Sequence, residues 1–166
     1  MCSDPSVAEK IYKIGVVSDT HGYFSPDLGR AFAGVKCILH AGDVGGEHVL
    51  KELSAVAPVI AVRGNMDNGP WAQDLPWQVE TEICGARVLV RHIQEKMDSG
   101  DRGKDGISTV VVSGHTHSPE VATVGETLFL NPGSAGRGRH GSGRTAAILT
   151  LHEGKVDAQW FFLGAE

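Results

Sequence analysis

Three apolar, β-branched runs in the first half of the chain each break into a short polar motif. Ile11–Ser18 ends in Asp19-Thr20-His21-Gly22, Val35–Leu39 in His40-Ala41-Gly42-Asp43, and Val59–Val62 in Arg63-Gly64-Asn65-Met66-Asp67. Two helix-forming stretches lie between them. Ser25-Pro26-Asp27 offers an N-cap serine, a proline at the first helical position and an acid at the positive end of the helix dipole. Leu28, Ala31 and Phe32 give that helix an inner face, and Gly34 ends it. Glu47–Val56 places Val49, Leu50, Leu53 and Val56 on one stripe and stops at Pro58. Strand, helix, strand, helix, strand predicts a mainly parallel sheet, in which ligands bind beyond the carboxyl ends of the strands. Asp19, His21, Asp43, Asn65 and Asp67 all fall at such ends.

The second half is built differently. Gln78–Ile83 and Arg87–Val90 flank Cys84-Gly85, Glu120–Val124 and Thr127–Leu130 flank Gly125-Glu126, and Ala147–Leu151 and Val156–Phe162 flank Glu153-Gly154. These are hairpin signals, so a second sheet with antiparallel pairing is expected to pack on the first. The strand before 92 runs into Arg91-His92. Val110–Val112, within the run Thr109–Ser113, is another buried strand, and it runs into Gly114-His115-Thr116-His117. Period-2 geometry sends those two imidazoles the same way. The stretch 94–106 is polar and carries three glycines, so any helix there is weak. Residues 1–10 read as a tail and 11–166 as a single α/β domain.

Composition removes several function classes. Fifteen basic against twenty acidic side chains argue against a general nucleic-acid binder. Cys2, Cys37 and Cys84 are too widely spaced for a disulfide framework or a CxxC metal knuckle, which suits a reducing cytosol. Met1–Pro5 lacks the apolar core of a signal peptide, and no apolar run reaches membrane-spanning length. A soluble, cytoplasmic protein is expected.

What remains is a donor set: Asp19, His21, Asp43, Asn65, His92, His115 and His117. No thiolate joins it. Imidazole with carboxylate suits first-row divalent ions such as Mn, Fe, Co, Ni or Zn. Seven donors exceed what one ion needs. Two ions sharing a carboxylate would use them, and ions so paired, about 3.5–4 Å apart, clamp an in-line displacement. A hydroxide between them would be the nucleophile, because the ions lower the pKa of water.

The motifs SDTHG, GD, GNxD, a lone histidine after a strand, GHTH and NPGS, in this order, resemble the calcineurin-like metallophosphoesterase superfamily, and within it the small YfcE-type phosphodiesterase branch. The resemblance runs from about Ile11 to the C-terminus. It implies two mixed sheets face to face with helices outside, a four-layer α/β/β/α sandwich. It implies Asp19, His21 and His117 on a first ion, Asn65, His92 and His115 on a second, and Asp43 bridging. Catalysis is expected to centre on Asp43, Asn65 and His117. The resemblance further implies hydrolysis of small phosphodiesters, commonly with two manganese ions, by an oligomeric enzyme. A phosphomonoesterase, or a non-catalytic protein-binding scaffold on the same fold as in the retromer coat, are the alternatives. A scaffold tends to lose donors, and this chain keeps all seven.

Two positions depart from the family pattern. Met66 stands where larger relatives carry a histidine thought to protonate the leaving group, and a thioether donates no proton. Ile93 stands where a glycine usually follows the strand-end histidine, and a β-branched residue resists positive φ. Other motifs have bland readings beside functional ones. Asn131-Pro132-Gly133-Ser134 is a tight turn that the resemblance places at the site floor. Arg137, Arg139, His140 and Arg144 form either a solvated glycine-rich loop or a clamp on substrate phosphate, with His140 as a proton source. His40 is expected to be structural or to support a ligand, and Asp67 to hydrogen-bond a metal-bound histidine in preference to ligating an ion itself. His48 and His152 are expected at the surface. Trp71 and Trp77 are expected to pack a loop against the sheets.

Overall fold

Residues 10–94, 101–103, 106–136 and 143–164 are described in the computed structural model of the chain. β1 (Ile11–Val17), β2 (Ile38–His40) and β3 (Val59–Ala61) pair in parallel, linked by α1 (Asp27–Ala31) and α2 (Glu47–Ser54). β4 (Gln78–Ile83) and β5 (Ala86–Arg91) form the first hairpin, followed by β6 (Thr109–Val112). β7 (Glu120–Val124) with β8 (Thr127–Asn131), and β9 (Thr145–His152) with β10 (Lys155–Phe162), form the other two. The first sheet has the order β10-β9-β1-β2-β3, and the second β4-β5-β6-β8-β7. Both are mixed, as the family pattern implies. The sequence placed the last hairpin in the second sheet; β9 instead pairs antiparallel with β1 over Ile11–Val16. That strand needed a partner on its open side, since β2 covers only one edge.

The two sheets share a core. Ile14, Val16 and Leu149 from one meet Val88, Val110, Val112 and Leu130 from the other, all essentially water-free. Alternate residues of the first sheet look outward, and Val17, Ile38 and Ala146 pack there against Leu28, Phe32, Val49 and Leu53 of the two helices. The expected inner faces are therefore borne out at Leu28, Phe32, Val49 and Leu53. The start of α1 differs: Pro26 takes the cap position without a side-chain hydrogen bond, and the Ser25 hydroxyl is buried without a hydrogen-bond partner. Five residues make too short a helix for capping to decide its existence; burial of Leu28 and Phe32 decides it. Among the described residues, helices cover the first sheet only. The weak-helix stretch lies largely outside the described residues, at 95–100 and 104–105. No helix among the described residues is long and apolar enough to cross a membrane.

The hairpin turns follow their residues. Cys84-Gly85 and Glu153-Gly154 hold φ of 51° and 81°, and 48° and 75°, the paired positive values of a tight I′-like turn. Trp71 packs on the helical side of the first sheet, as expected. Trp77 does not: it is 62 % exposed, with the Arg63 guanidinium 4.7 Å over its ring.

Candidate metal centre

All seven donors come from residues at or just beyond the carboxyl ends of β1, β2, β3, β5 and β6, so both sheets contribute to one end of the sandwich. The turns that carry them are strained. Asp19, His21, Asp43, His115 and His117 have φ of 52°, 45°, 51°, 70° and 60°. Each such left-handed non-glycine residue costs about 1–3 kcal/mol, and strain of this kind collects at functional sites. Outside this set, the described non-glycine residues with positive φ are Cys84 and Glu153, in the hairpin turns.

Each buried carboxylate divides its two oxygens between scaffold and site. Asp19 Oδ2 accepts from the Ser18 hydroxyl (2.7 Å) and the His115 amide (3.0 Å), leaving Oδ1 facing His117 Nε2 at 3.2 Å, His21 Nε2 at 3.8 Å and His92 Nε2 at 3.9 Å. Asp43 Oδ1 accepts from the Met66 amide (2.8 Å), leaving Oδ2 facing His92 Nε2 at 3.2 Å and His21 Nε2 at 3.8 Å. The Ala41 carbonyl takes the Nδ1 proton of His92 (2.7 Å), so Nε2 carries the lone pair. His21 and His117 bring their Nε2 atoms to 3.4 Å, and Asn65 Oδ1 stands 3.1 Å from His115 Nδ1. The His92 and His115 rings meet edge to face at 5.2 Å.

These donors fit metal ions. Asp19 Oδ1 and His92 Nε2 are buried and meet no hydrogen-bond partner, a costly arrangement unless something else binds them. Donors about 2.0–2.2 Å from one ion lie about 3–3.5 Å from each other, which matches the closest pairs here. Two triads already lie within reach of an ion: Asp19, His21 and His117, and Asp19, Asp43 and His92. The first is the trio implied by the family pattern. In the second Asp19 and Asp43 accompany His92, while Asn65 faces His115, whose ring meets that of His92.

Charge supports the same picture. Burial pushes the Asp43 carboxyl up, but the His92 side chain, the Met66 amide and the His21 charge outweigh it and hold the group below the ordinary aspartate value. Burial pulls His92 down, and the Asp43 carboxylate, the Ala41 carbonyl and the Asp19 charge raise it above the ordinary histidine value.

Several neighbours keep the turns in place. Asp67 does not support a histidine, as the sequence suggested. It accepts from the amides of Gly64 (2.9 Å), Val44 (3.2 Å) and Gly45 (2.9 Å), tying the second motif to the third. The NPGS turn does floor the site: the Ser134 hydroxyl donates to the Asp19 carbonyl (2.9 Å), and the Asn131 amide to the Gly114 carbonyl (2.9 Å). His48 is exposed, as expected, yet it reaches the Gly22 carbonyl at 2.8 Å. His152 is half-buried rather than at the surface. Arg144 is no phosphate clamp: it is buried against the Tyr23 ring, donating to the Tyr23 hydroxyl (2.7 Å) and the Gly164 carbonyl (3.0 Å). Arg137, Arg139 and His140 lie outside the described residues.

His40 is structural and neutral. The Gly42 amide donates to its Nδ1 (3.2 Å), so its Nε2 proton goes to the Thr20 hydroxyl (2.8 Å), which donates onward to the Val44 carbonyl (2.9 Å). Burial, with the His92 charge next, lowers its pKa from 6.5 to about 3. The folded state thus binds the proton more weakly than the unfolded state. Its contribution to stability is complete above about pH 6.5 and is lost progressively as pH falls toward 3. In urea titrations the unfolding midpoint is expected to drop from pH 6.5 to 4, and His40→Gln, which keeps a donor toward Thr20, to flatten that slope. An identical slope in the variant would contradict this assignment.

Two face-to-face mixed sheets, with nitrogen and oxygen donors gathered at one end, define the class as the metallophosphoesterase fold. The sequence matches the calcineurin-like phosphoesterase superfamily domain over residues 12–154, and the chain belongs to that superfamily. It is 39 % identical over 132 residues to a protein named probable metallophosphoesterase from Methanocaldococcus jannaschii, covering 73 % of this chain and 67 % of that one. A second, of the same name, from Methanothermobacter thermautotrophicus is 35 % identical and covers 92 % of this chain and 93 % of its own. Among solved structures, one described as a novel archaeal phosphodiesterase superposes with a TM-score of 0.68 at 25 % identity, over 90 % of this chain and 99 % of that one. Vacuolar Protein Sorting 29 from Cryptosporidium parvum shares the fold, with a TM-score of 0.70 at 18 % identity over 93 % of this chain and 99 % of its own.

Proposed function

We infer that the chain is a phosphodiesterase working with two divalent ions, with 11–166 as one catalytic domain. The observation that carries this is the pair of buried site atoms without hydrogen-bond partners, Asp19 Oδ1 and His92 Nε2, set among imidazoles at ion-sharing distances. Asp19, His21 and His117 would hold one ion, His92, Asn65 and His115 the other, and Asp43 would span both. Manganese is the ion proposed, with iron, cobalt, nickel and zinc compatible with the same donors. Bound there, the ions supply Lewis acidity and a water ionised near neutral pH. The chain's own part would be to hold the donors rigid, through Ser18, Met66, Ala41 and Asn131, and so to keep the substrate phosphate fixed against them. A homo-oligomeric, cytoplasmic enzyme completes the proposal.

No proton donor stands at Met66, whose side chain is 56 % exposed and whose amide is spent on Asp43. Esters that leave without protonation are therefore expected to react fastest. Manganese-loaded protein is expected to cleave bis(p-nitrophenyl) phosphate at least about a hundredfold faster than a dialkyl phosphate, and chelation to stop both. Equal rates for aryl and alkyl diesters would contradict the missing-acid argument. Turnover of p-nitrophenyl phosphate alone would favour a monoesterase, and no metal and no turnover would favour a scaffold.

A further inference from the structure

Beside the metal centre, on the outer face of the second sheet, lies a cleft of about 350 Å³, within the range of about 300–1,000 Å³ typical of small-molecule pockets. Its lining includes Gln94, Ser113, Glu120, Ala122, Phe129 and Asn131. Ala122 and Phe129 are register partners on β7 and β8, facing away from Leu128 and Leu130 in the inter-sheet core. Glu120 stands across from Asn131, whose amide holds the Gly114 carbonyl and the Thr116 hydroxyl. The cleft therefore opens on the same turn that carries His115, which lines it too. Its only described charge, leaving His115 aside, is the Glu120 carboxylate; no described lysine or arginine lines it. Arg91 holds Gln94 at the rim (2.7 Å) and is itself paired with Asp101 (2.6 Å).

The geometry points to this cleft as the seat of one ester arm of the substrate, selecting an uncharged or cationic organic group over an anionic one. The inference rests on the phosphodiesterase reading and names its substrate class. A diester bound through its phosphate near His115 lays one arm along Ala122 and Phe129, where apolar surface leaves water. Glu120 attracts a cationic head and repels a carboxylate or a second phosphate. In hydrolysis, water oxygen bonds to phosphorus, the other P–O bond breaks and its alcohol leaves, while the seated arm remains on the monoester product.

The test compares p-nitrophenyl diesters whose second arm is choline, a thymidine nucleoside, a methyl group or a carboxylate-bearing alcohol. All lose the same p-nitrophenolate, so differences report the seated arm. Wild-type KM is expected to be lowest for the choline and thymidine arms. Glu120→Lys is expected to raise KM for the choline diester about tenfold and lower it for the carboxylate one, the change falling on KM rather than kcat. Ala122→Trp, which fills the cleft, is expected to raise KM for the thymidine diester more than for the methyl one. Line broadening of the choline diester by metal-free protein, weakened in Glu120→Lys, gives a readout without turnover. If the diesters turn over but neither variant shifts their KM order, the cleft inference fails alone. If no diester turns over, it falls together with the phosphodiesterase reading.

Discussion

Asp43→Asn is expected to lower phosphodiester hydrolysis at least about a thousandfold while leaving the chain folded. The asparagine keeps an oxygen for the Met66 amide, so the third motif stays anchored. What it loses is the charge on the oxygen that faces both His92 and His21, at 3.2 and 3.8 Å. A neutral amide there cannot hold two cations together, and its NH2 meets the His92 lone pair only as a hydrogen-bond donor. The metal-free variant is expected to melt below wild type but to stay folded, because the charge that His92, the Met66 amide and His21 stabilise is lost while the oxygen that accepts from the Met66 amide remains. The rise in Tm that manganese gives wild type is expected to shrink sharply, since ligand stabilisation follows affinity. A variant with both wild-type turnover and wild-type stabilisation by manganese would show that Asp43 is not shared between ions.

The second large effect is expected at Gly114. A Cβ on this residue would sit 1.9 Å from the Ser18 hydroxyl and 2.6 Å from Asp19 Oδ2. Neither side can retreat. Ser18 and Asp19 are fully buried, and the Gly114 peptide is tied on both flanks, its amide to the His92 carbonyl (2.9 Å) and its carbonyl to the Asn131 amide (2.9 Å). Gly114→Ala is therefore expected to cost about 3 kcal/mol or more in urea unfolding and to reduce activity about a hundredfold or more, by displacing the Asp19 carboxylate. Gly85→Ala is the control. Its φ of 81° strains an alanine, which the backbone of Gly114 does not, but nothing lies within 4 Å of the added carbon. It should lose only about 1 kcal/mol and keep full activity. A loss at Gly114 no larger than that at Gly85 would mean that Ser18 and Asp19 give way at little cost and that Gly114 is not what keeps the carboxylate in place.

Much of this site is legible in the sequence because its chemistry is local. A buried parallel strand must end somewhere, and the residues just past its carboxyl end are polar and mutually close whatever the loops do. Asp19, Asp43 and His115 could be picked out on that ground alone. The hairpins were legible for a similar reason, since Cys84-Gly85 and Glu153-Gly154 suit the positive φ a tight turn demands. Other features depend on partners far away in the chain. Periodicity marks β9 as a strand but not its pairing with β1, more than a hundred residues earlier. Asp67 sits within a motif of ligand-type residues by pattern, yet its carboxylate meets three amide protons, and only loop geometry decides that. Arg144 shares a run with exposed-looking arginines, but the Tyr23 ring and the Gly164 carbonyl take it out of solvent. No local pattern announces either partner.

Anomalous scattering from crystals grown with manganese tests the central claim most directly. Two ions per chain are expected, about 3.5–4 Å apart, with Asp43 touching both and with His117 and His92 on opposite ions. A single ion, or two ions with Asp43 bound to only one of them, would contradict it.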